Sequence, residues 1–223
     1  MSHYKIILAG PVGAGKSTAV SAASDIPPIR TEAVASDEVR ELKPNTTVAL
    51  DYGAMKLADG STIHLYGTPG QPRFDFMWEI LTEGGIALIL LIDNSRGDPL
   101  KALRFYLGAF SGFIRKTAVA IGVTHTDLRA TPRLADFQAE LDRAGFGCVP
   151  VFEVDARARR EGPLRRLVQP ETGLARQGEH EVERPRALAG CPGEGVRAPV
   201  SAGRHALAMR LAAVEVDLVA PVW

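Results

Sequence analysis

Apolar residues recur along the first two thirds of the chain in a pattern that changes period from segment to segment. "YKIILAG", Tyr4 to Gly10, is a short apolar run ending in glycine and reads as a buried strand. "KSTAVSAAS" follows with small, helix-tolerant residues. "TTVALDYGAMKLADGSTIHLYGT" reads as two strands joined by Asp59-Gly60, a hairpin turn signal. "GIALILLID" is a continuous apolar run, as expected of a strand covered on both faces. "PLKALRFYLGAF" puts Leu100, Leu103, Leu107 and Phe110 on one helical face. "TAVAIGVT" reads as another strand. "TPRLADFQAEL" opens with Thr131 as N-cap and Pro132 at the first helical position, and Leu134, Phe137 and Leu141 share a face. "CVPVFEVDA" is the last clear strand. Strands alternating with helices predict an α/β fold of three layers: a mostly parallel sheet between helices, with the hairpin supplying one antiparallel edge strand. Residues 25–45 hold three prolines and no clear period, and read as a long loop.

After Arg160 the pattern dissolves. Residues 161–223 contain no lysine, against six before them, and carry scattered Gly, Pro and Arg. A covered sheet needs one more amphipathic helix near residue 160, but only Leu164, Leu167 and Val168 suit it, and Pro170 stops it. The expected organisation is therefore a domain over 1–160 and an irregular tail over 161–223. That tail reads as largely disordered or as a divergent replacement of the native end, with a composition resembling GC-rich coding sequence read in a shifted frame. A partner-binding tail is the alternative.

Composition changes this picture little. Apolar residues make up 46% and charged residues 23%, an ordinary globular balance. Lys+Arg and Asp+Glu are equal at 26, which argues against a nucleic-acid partner. Cys148 and Cys191 are too few for a disulfide scaffold, so a cytoplasmic setting is the expectation. The longest apolar run is too short to span a bilayer. No lipidation motif stands at either end, so no direct membrane anchor is expected.

The candidate chemistry begins at "GPVGAGKS", Gly10 to Ser17, a phosphate-binding loop standing after a strand and before a helix. Glycines there let backbone N–H groups converge on phosphate oxygens, and the helix N-terminus adds partial positive charge. Gly10, Gly13, Ala14, Gly15, Lys16, Ser17 and Thr18 are the expected phosphate contacts. Lys16 is placed to reach the β- and γ-phosphates, and Ser17 to hold Mg²⁺.

Further motifs follow in order: "NTTVALDYG", "LYGTPGQPRF", "VTHTDL" and "VDARAR". With this series the chain resembles the Ras-like small GTPases, and more closely the bacterial MglA-like and conservon-type branch whose partners are roadblock-fold proteins. The resemblance covers about residues 4–160. It implies GTP or GDP with Mg²⁺ as the bound species, and an activating or effector protein as partner. It implies that Asp127 accepts the two donors of guanine and that the Ala156 N–H meets the guanine oxygen. Thr124 and His125 stand where an Asn-Lys pair is usual. Thr124 keeps one hydrogen bond to the base, while His125 either lays its ring there or is an ordinary loop histidine. Arg157 is placed to stack on the other side.

The same resemblance makes Thr47, or its neighbour Thr46, the second Mg²⁺ ligand beside Ser17. Gly70 is expected to offer its N–H to the γ-phosphate and Gln71 to orient the attacking water, so that Gln71 and Lys16 are the catalytic pair. Two departures stand out. Gly67 occupies the position of an aspartate that normally supports Mg²⁺. Val12 replaces a glycine and crowds the water-positioning glutamine, which implies slow hydrolysis. Arg73 reads as an internal arginine for the phosphates or as a solvated helix residue. The cluster Phe74, Phe76, Met77, Trp78 and Ile80 reads as core or as core plus a partner surface. A guanine-nucleotide module without turnover and a phosphate-loop kinase are the competing functions.

Overall fold

A computed structural model describes residues 2–33, 48–57, 59–71 and 75–157. The chain runs β1 (His3–Ala9), α1 (Lys16–Ala23), β2 (Ile29–Ala33), β3 (Val48–Lys56), β4 (Thr62–Gly67), α2 (Asp75–Thr82), β5 (Ala87–Asp93), α3 (Pro99–Ala109), α4 (Ser111–Ile114), β6 (Ala118–Thr124), α5 (Leu134–Arg143) and β7 (Val151–Glu153). The described strands form one sheet in the order β2-β3-β4-β1-β5-β6-β7. From β4 to β7 every pairing is parallel, whereas β3 runs antiparallel to both of its neighbours.

The α/β architecture follows from alternation along β1. Ile6 and Leu8 face a core shared with Val20 of α1, while Ile7 and Ala9 face one shared with Leu103 and Phe137 of α3 and α5. Each face of the strand buries its own apolar set, so the run has no polar positions to spare. Along β5 all residues from Ala87 to Asp93 are buried for the same reason. On α3, Leu103, Leu107 and Phe110 are buried as expected, together with Tyr106, which the sequence reading had not placed there.

Two expectations need correction. The antiparallel strand β3 is not at the edge. The edge strand is β2, which pairs Ile29 to Tyr52 through Ala33 to Val48 and lies inside the stretch read as a loop. A strand of five residues is too short to declare its period, and its partner is distant in sequence. Pro132 does not open a helix: its carbonyl accepts a hydrogen bond from Asn94 Nδ2 at 3.2 Å, and α5 begins at Leu134 with Asp136 accepting from the Arg133 N–H at 2.7 Å. The hairpin turn stands as expected, with Gly60 at φ 80 and Asp59 Oδ1 accepting from the Ser61 N–H. The helix sought near residue 160 and the whole of 161–223 fall outside the described residues. Among the described residues no helix is long and apolar enough to cross a membrane.

Candidate functional site

The site forms where β1, β4, β5 and β6 end on one side of the sheet. β1 gives way to the glycine-rich loop at Gly10, whose φ of 136 and whose approach to the Leu91 carbonyl leave no room for a side chain: a Cβ would lie 2.0 Å from that oxygen. The loop then turns back and α1 starts at Lys16, its N-terminus aimed into the loop. Lys16 is buried, and its Nζ donates to the carbonyls of Gly10 and Pro11, each at 2.7 Å. Burial lowers its pKa to about 8 against an opposing pull from Asp51. The ammonium is thus held across the loop with its remaining donor capacity toward the pocket.

Beside it, Ser17 Oγ donates to Asp51 Oδ2 at 2.5 Å. Asp51 is a β3 residue, buried in the wall of the pocket and paired in register with Gly67 of β4. Val12, Gly13, Gly15, Thr18, Thr68, Pro69, Gly70 and Gln71 complete a cavity of about 350 Å³ around Lys16, Ser17 and Asp51. Val12 is 61% exposed at its rim, and Gln71 is exposed beside it. Thr68 is buried, and its Oγ1 has no hydrogen-bond partner.

The segment after β4 is tied to the far side of the sheet. Thr68 N–H donates to the Leu8 carbonyl, Trp78 Nε1 donates to the Pro69 carbonyl at 3.1 Å, and Tyr106 Oη donates to the Gly70 carbonyl at 3.0 Å. These bonds bring Gly70 onto the loop. A Cβ there would lie 2.7 Å from both Lys16 Nζ and the Val12 nitrogen, so only glycine fits. Trp78 was read only as part of an apolar cluster and Tyr106 was not singled out, because a tether to a backbone carbonyl leaves no mark in sequence. In that cluster Trp78 points inward and Ile80 outward. The side chains of Phe74 and Phe76 lie outside the described residues, as do Thr46, Thr47 and Arg73.

A second cavity of about 380 Å³ adjoins the first and shares Gly13, Gly15 and Thr18 with it. Thr124, His125, Thr126, Asp127, Glu153, Val154, Asp155, Ala156 and Arg157 line the rest. The structure therefore brings the four described sequence motifs to one continuous cleft. Ala156 packs against the loop closely enough that a Cβ on Gly15 would lie 2.9 Å from its own. Asp127 is exposed at the rim.

Two roles shift. Thr124 is buried, and its hydroxyl lies 3.3 Å from the Ala14 carbonyl and 3.2 Å from that of Ile92, so its proton goes to the scaffold while its oxygen still lines the cavity. His125 adopts φ 57, with Nδ1 at 3.1 Å from Thr124 Oγ1 and 3.3 Å from Asp93 Oδ1. Asp93, buried at the end of β5, also accepts from the Ser95 N–H and hydroxyl. The sequence reading missed it because an acidic residue closing an apolar strand has no signature of its own. Arg157 lies alongside Asp155, its Nε donating to Oδ1 at 2.9 Å, and the guanidinium holds that carboxyl below its usual range.

Among the described residues no cluster of three or more His, Cys, Asp or Glu side chains could hold a metal ion. The donor set at Ser17 instead consists of hydroxyl and carboxylate oxygens next to a phosphate-type loop. A hard cation that shares its shell with phosphate and water fits such a set, and the unpartnered Thr68 hydroxyl adds a buried oxygen to it.

A family model described as "Conserved hypothetical ATP binding protein" matches residues 8–145. The uncharacterized protein MJ1339 of Methanocaldococcus jannaschii is 37% identical over 79 residues, covering 33% of this chain and 51% of that protein. The chain thus spans about half the length of this curated relative. Among solved structures, the G domain of the T. maritima FeoB iron transporter aligns at a TM-score of 0.48 and 18% identity, over 69% of this chain and 88% of that one.

Proposed function

The chain belongs to the family of conserved hypothetical ATP binding proteins, and from that premise we propose that it is a nucleotide switch binding a guanine nucleoside di- or triphosphate with Mg²⁺ and hydrolysing the triphosphate slowly. The observation that carries the reading is the cleft itself. A phosphate cavity and a second cavity ending at Asp127 share Gly13, Gly15 and Thr18, so one nucleotide can span both. In that pose Lys16 sits at the outer phosphates and the Ala156 N–H at the base. The Asp127 carboxylate suits guanine, which offers two adjacent donors, and disfavours adenine, which offers an acceptor there.

Ser17, with Thr47 from the neighbouring segment, would hold Mg²⁺, which when bound neutralises charge on the phosphates. Gln71, exposed at the lip beside Gly70, is placed to position water. Val12 stands in the same opening and crowds it. A crowded water site slows the reaction without weakening ground-state binding, since positioning acts on the transition state. The readout is then a protein partner that distinguishes the two nucleotide states. A roadblock-fold protein is the candidate that the resemblance implies, and a cytoplasmic setting goes with it.

One observation favours a second reading. Thr124 and His125 also bond to the scaffold and to Asp93, so the base cavity rests its choice chiefly on Asp127 and the Ala156 N–H. Adenine nucleotide, as the family description has it, is therefore the competitor to test. Chromatography of the supernatant from the denatured purified protein should release guanine nucleotide, and unlabelled GTP should displace a fluorescent guanine nucleotide far better than ATP does. Release of adenine nucleotide, with ATP the better competitor, would overturn the guanine assignment and leave only phosphate-loop binding standing.

A further inference from the structure

A separate group of polar side chains lies toward the start of β1, roughly 20 Å of strand away from the phosphate loop. Along β4 the alternation sends Ile63 and Leu65 into the core shared with α1, so His64 and Tyr66 project from the other face. Tyr52 stands directly opposite Tyr66 on β3 and projects to the same face. The β1–β4 ladder sets His3 against Thr62 and Lys5 against His64, and the Thr62 N–H donates to the Ser2 carbonyl at 2.9 Å. This register brings two imidazoles together. His3 Nδ1 lies 3.0 Å from His64 Nε2, and the ring planes differ by only 24°. On its other side, His64 Nδ1 lies 2.8 Å from Tyr52 Oη. Lys5 is held elsewhere: its Nζ donates to the Glu83 carbonyl at 2.8 Å and lies 5.0 Å from the centre of the Tyr66 ring. Burial, and then the neighbouring His3, lowers the pKa of His64, so its ring is neutral at pH 7.

We propose that His3 and His64 form a two-imidazole site for a divalent transition-metal ion of the class that imidazole suits, Zn²⁺ or Cu²⁺, with Tyr52 as the positioning residue that orients His64. Imidazole nitrogens sit about 2.0–2.1 Å from such an ion, so two on one ion lie about 2.9 Å apart at a right angle and about 3.4 Å apart in a tetrahedron. The separation of 3.0 Å falls between these values, so a turn of the side chains lets the pair share an ion. A metal-bound histidine characteristically engages its second ring nitrogen with a partner that fixes its tautomer and ring plane. Tyr52 supplies that partner: with Nδ1–H donating to the phenol oxygen, the Nε2 lone pair of His64 faces His3. His3 then ligates through Nδ1 and carries its proton on Nε2, so both rings bind in the neutral form. Water completes the shell, since His3 is exposed. Two protein ligands make this an exchangeable site and not a structural zinc site, which uses four. Its chemistry also differs from that of the cleft, where hydroxyl, carboxylate and phosphate oxygens suit a hard cation. The inference therefore stands apart from the nucleotide reading.

The test uses the full chain, stripped with EDTA, dialysed into millimolar Mg²⁺ to fill oxygen-ligand sites, and titrated with Zn²⁺. The ring nitrogens of its five histidines are followed by heteronuclear NMR, and affinity is measured by competition with a chromophoric zinc indicator. One equivalent of Zn²⁺ should move the His3 and His64 signals together and leave that of His125 in place. His3→Gln and His64→Gln should each remove the response. Tyr52→Phe keeps the ring and should weaken Zn²⁺ binding roughly 10- to 100-fold, the range seen when a partner of a metal ligand is removed. Cu²⁺ should bind more tightly than Zn²⁺, and Mn²⁺ more weakly. Circular dichroism and thermal melting in EDTA serve as the control for folding. Should His64→Gln fail to fold, His3→Gln at the exposed strand end decides. If millimolar Zn²⁺ moves neither His3 nor His64, or moves another histidine first, the pair is a hydrogen bond across the sheet and the proposal is wrong. Wild-type affinity in a folded His3→Gln would overturn it equally, and wild-type affinity in Tyr52→Phe would remove the positioning role.

Discussion

Removing one hydroxyl from Tyr106 should favour the triphosphate form. Tyr106 is buried on α3, its ring 5.4 Å from that of Trp78, and its Oη donates to the Gly70 carbonyl at 3.0 Å. That bond helps hold the Gly70 backbone against Lys16 Nζ and the Val12 N–H, the two donors that a third phosphate would engage. For the triphosphate to sit there, Gly70 must move and its carbonyl must leave Tyr106. Tyr106→Phe keeps the ring packing and deletes the bond. A net hydrogen bond of this kind contributes about 1 kcal/mol, or roughly fivefold in an equilibrium. The affinity for a non-hydrolysable triphosphate analogue should rise by that factor while diphosphate affinity stays level. Trp78 donates to the Pro69 carbonyl next door, so its fluorescence in a Trp223→Phe background reports the movement. Burial pushes the Tyr106 phenol up to about 12, so the donor keeps its proton and the effect should be equal at pH 7 and pH 9. The sign for stability follows. Between pH 10 and 12 the unfolded phenol loses its proton while the folded one keeps it, so this residue's contribution to stability falls across that window, and Tyr106→Phe should show a shallower fall than wild type. An unchanged ratio of triphosphate to diphosphate affinity would refute the tether.

Asp127→Asn should cost GTP binding roughly 2 kcal/mol or more by removing a charge-assisted pair, and should gain xanthosine triphosphate; equal GTP affinity in variant and wild type, measured by titration, would end the guanine reading. Gln71→Leu should leave nucleotide affinity intact and lower single-turnover phosphate release, whereas Val12→Gly should raise that release if crowding is the brake. No response to Val12→Gly would place the limit elsewhere in the site. Phe137 is fully buried between α5 and the sheet, so Phe137→Ala should cost about 3–5 kcal/mol in urea unfolding, and a loss below about 1 kcal/mol would contradict the packing described for that face.

How much of this was legible beforehand depends on the range of the interactions. The phosphate loop is local: strand, glycines, lysine and helix lie within a dozen or so residues, so "GPVGAGKS" carried both its conformation and its chemistry. The periods of β1, β5, α3 and α5 were readable because each buried face repeats many times within its own element. Asp127 and Ala156 could be placed because they follow strands whose order along the chain set their positions at the sheet's edge. The tertiary structure alone decided the rest. Gly67 looked like a deletion of charge until β3 paired with β4 and set Asp51 against it, a relation that exists only across two strands. That Thr124 also has the Ala14 and Ile92 carbonyls within reach was decided by the fold. Trp78 read as core or partner surface and Tyr106 was not singled out, until the backbone of Pro69 and Gly70 came to their polar atoms. The division has one physical cause. Periodicity and loop chemistry are properties of neighbours in the chain. Which polar atom a side chain satisfies, and which residue it faces across a strand pair, depends on neighbours in space.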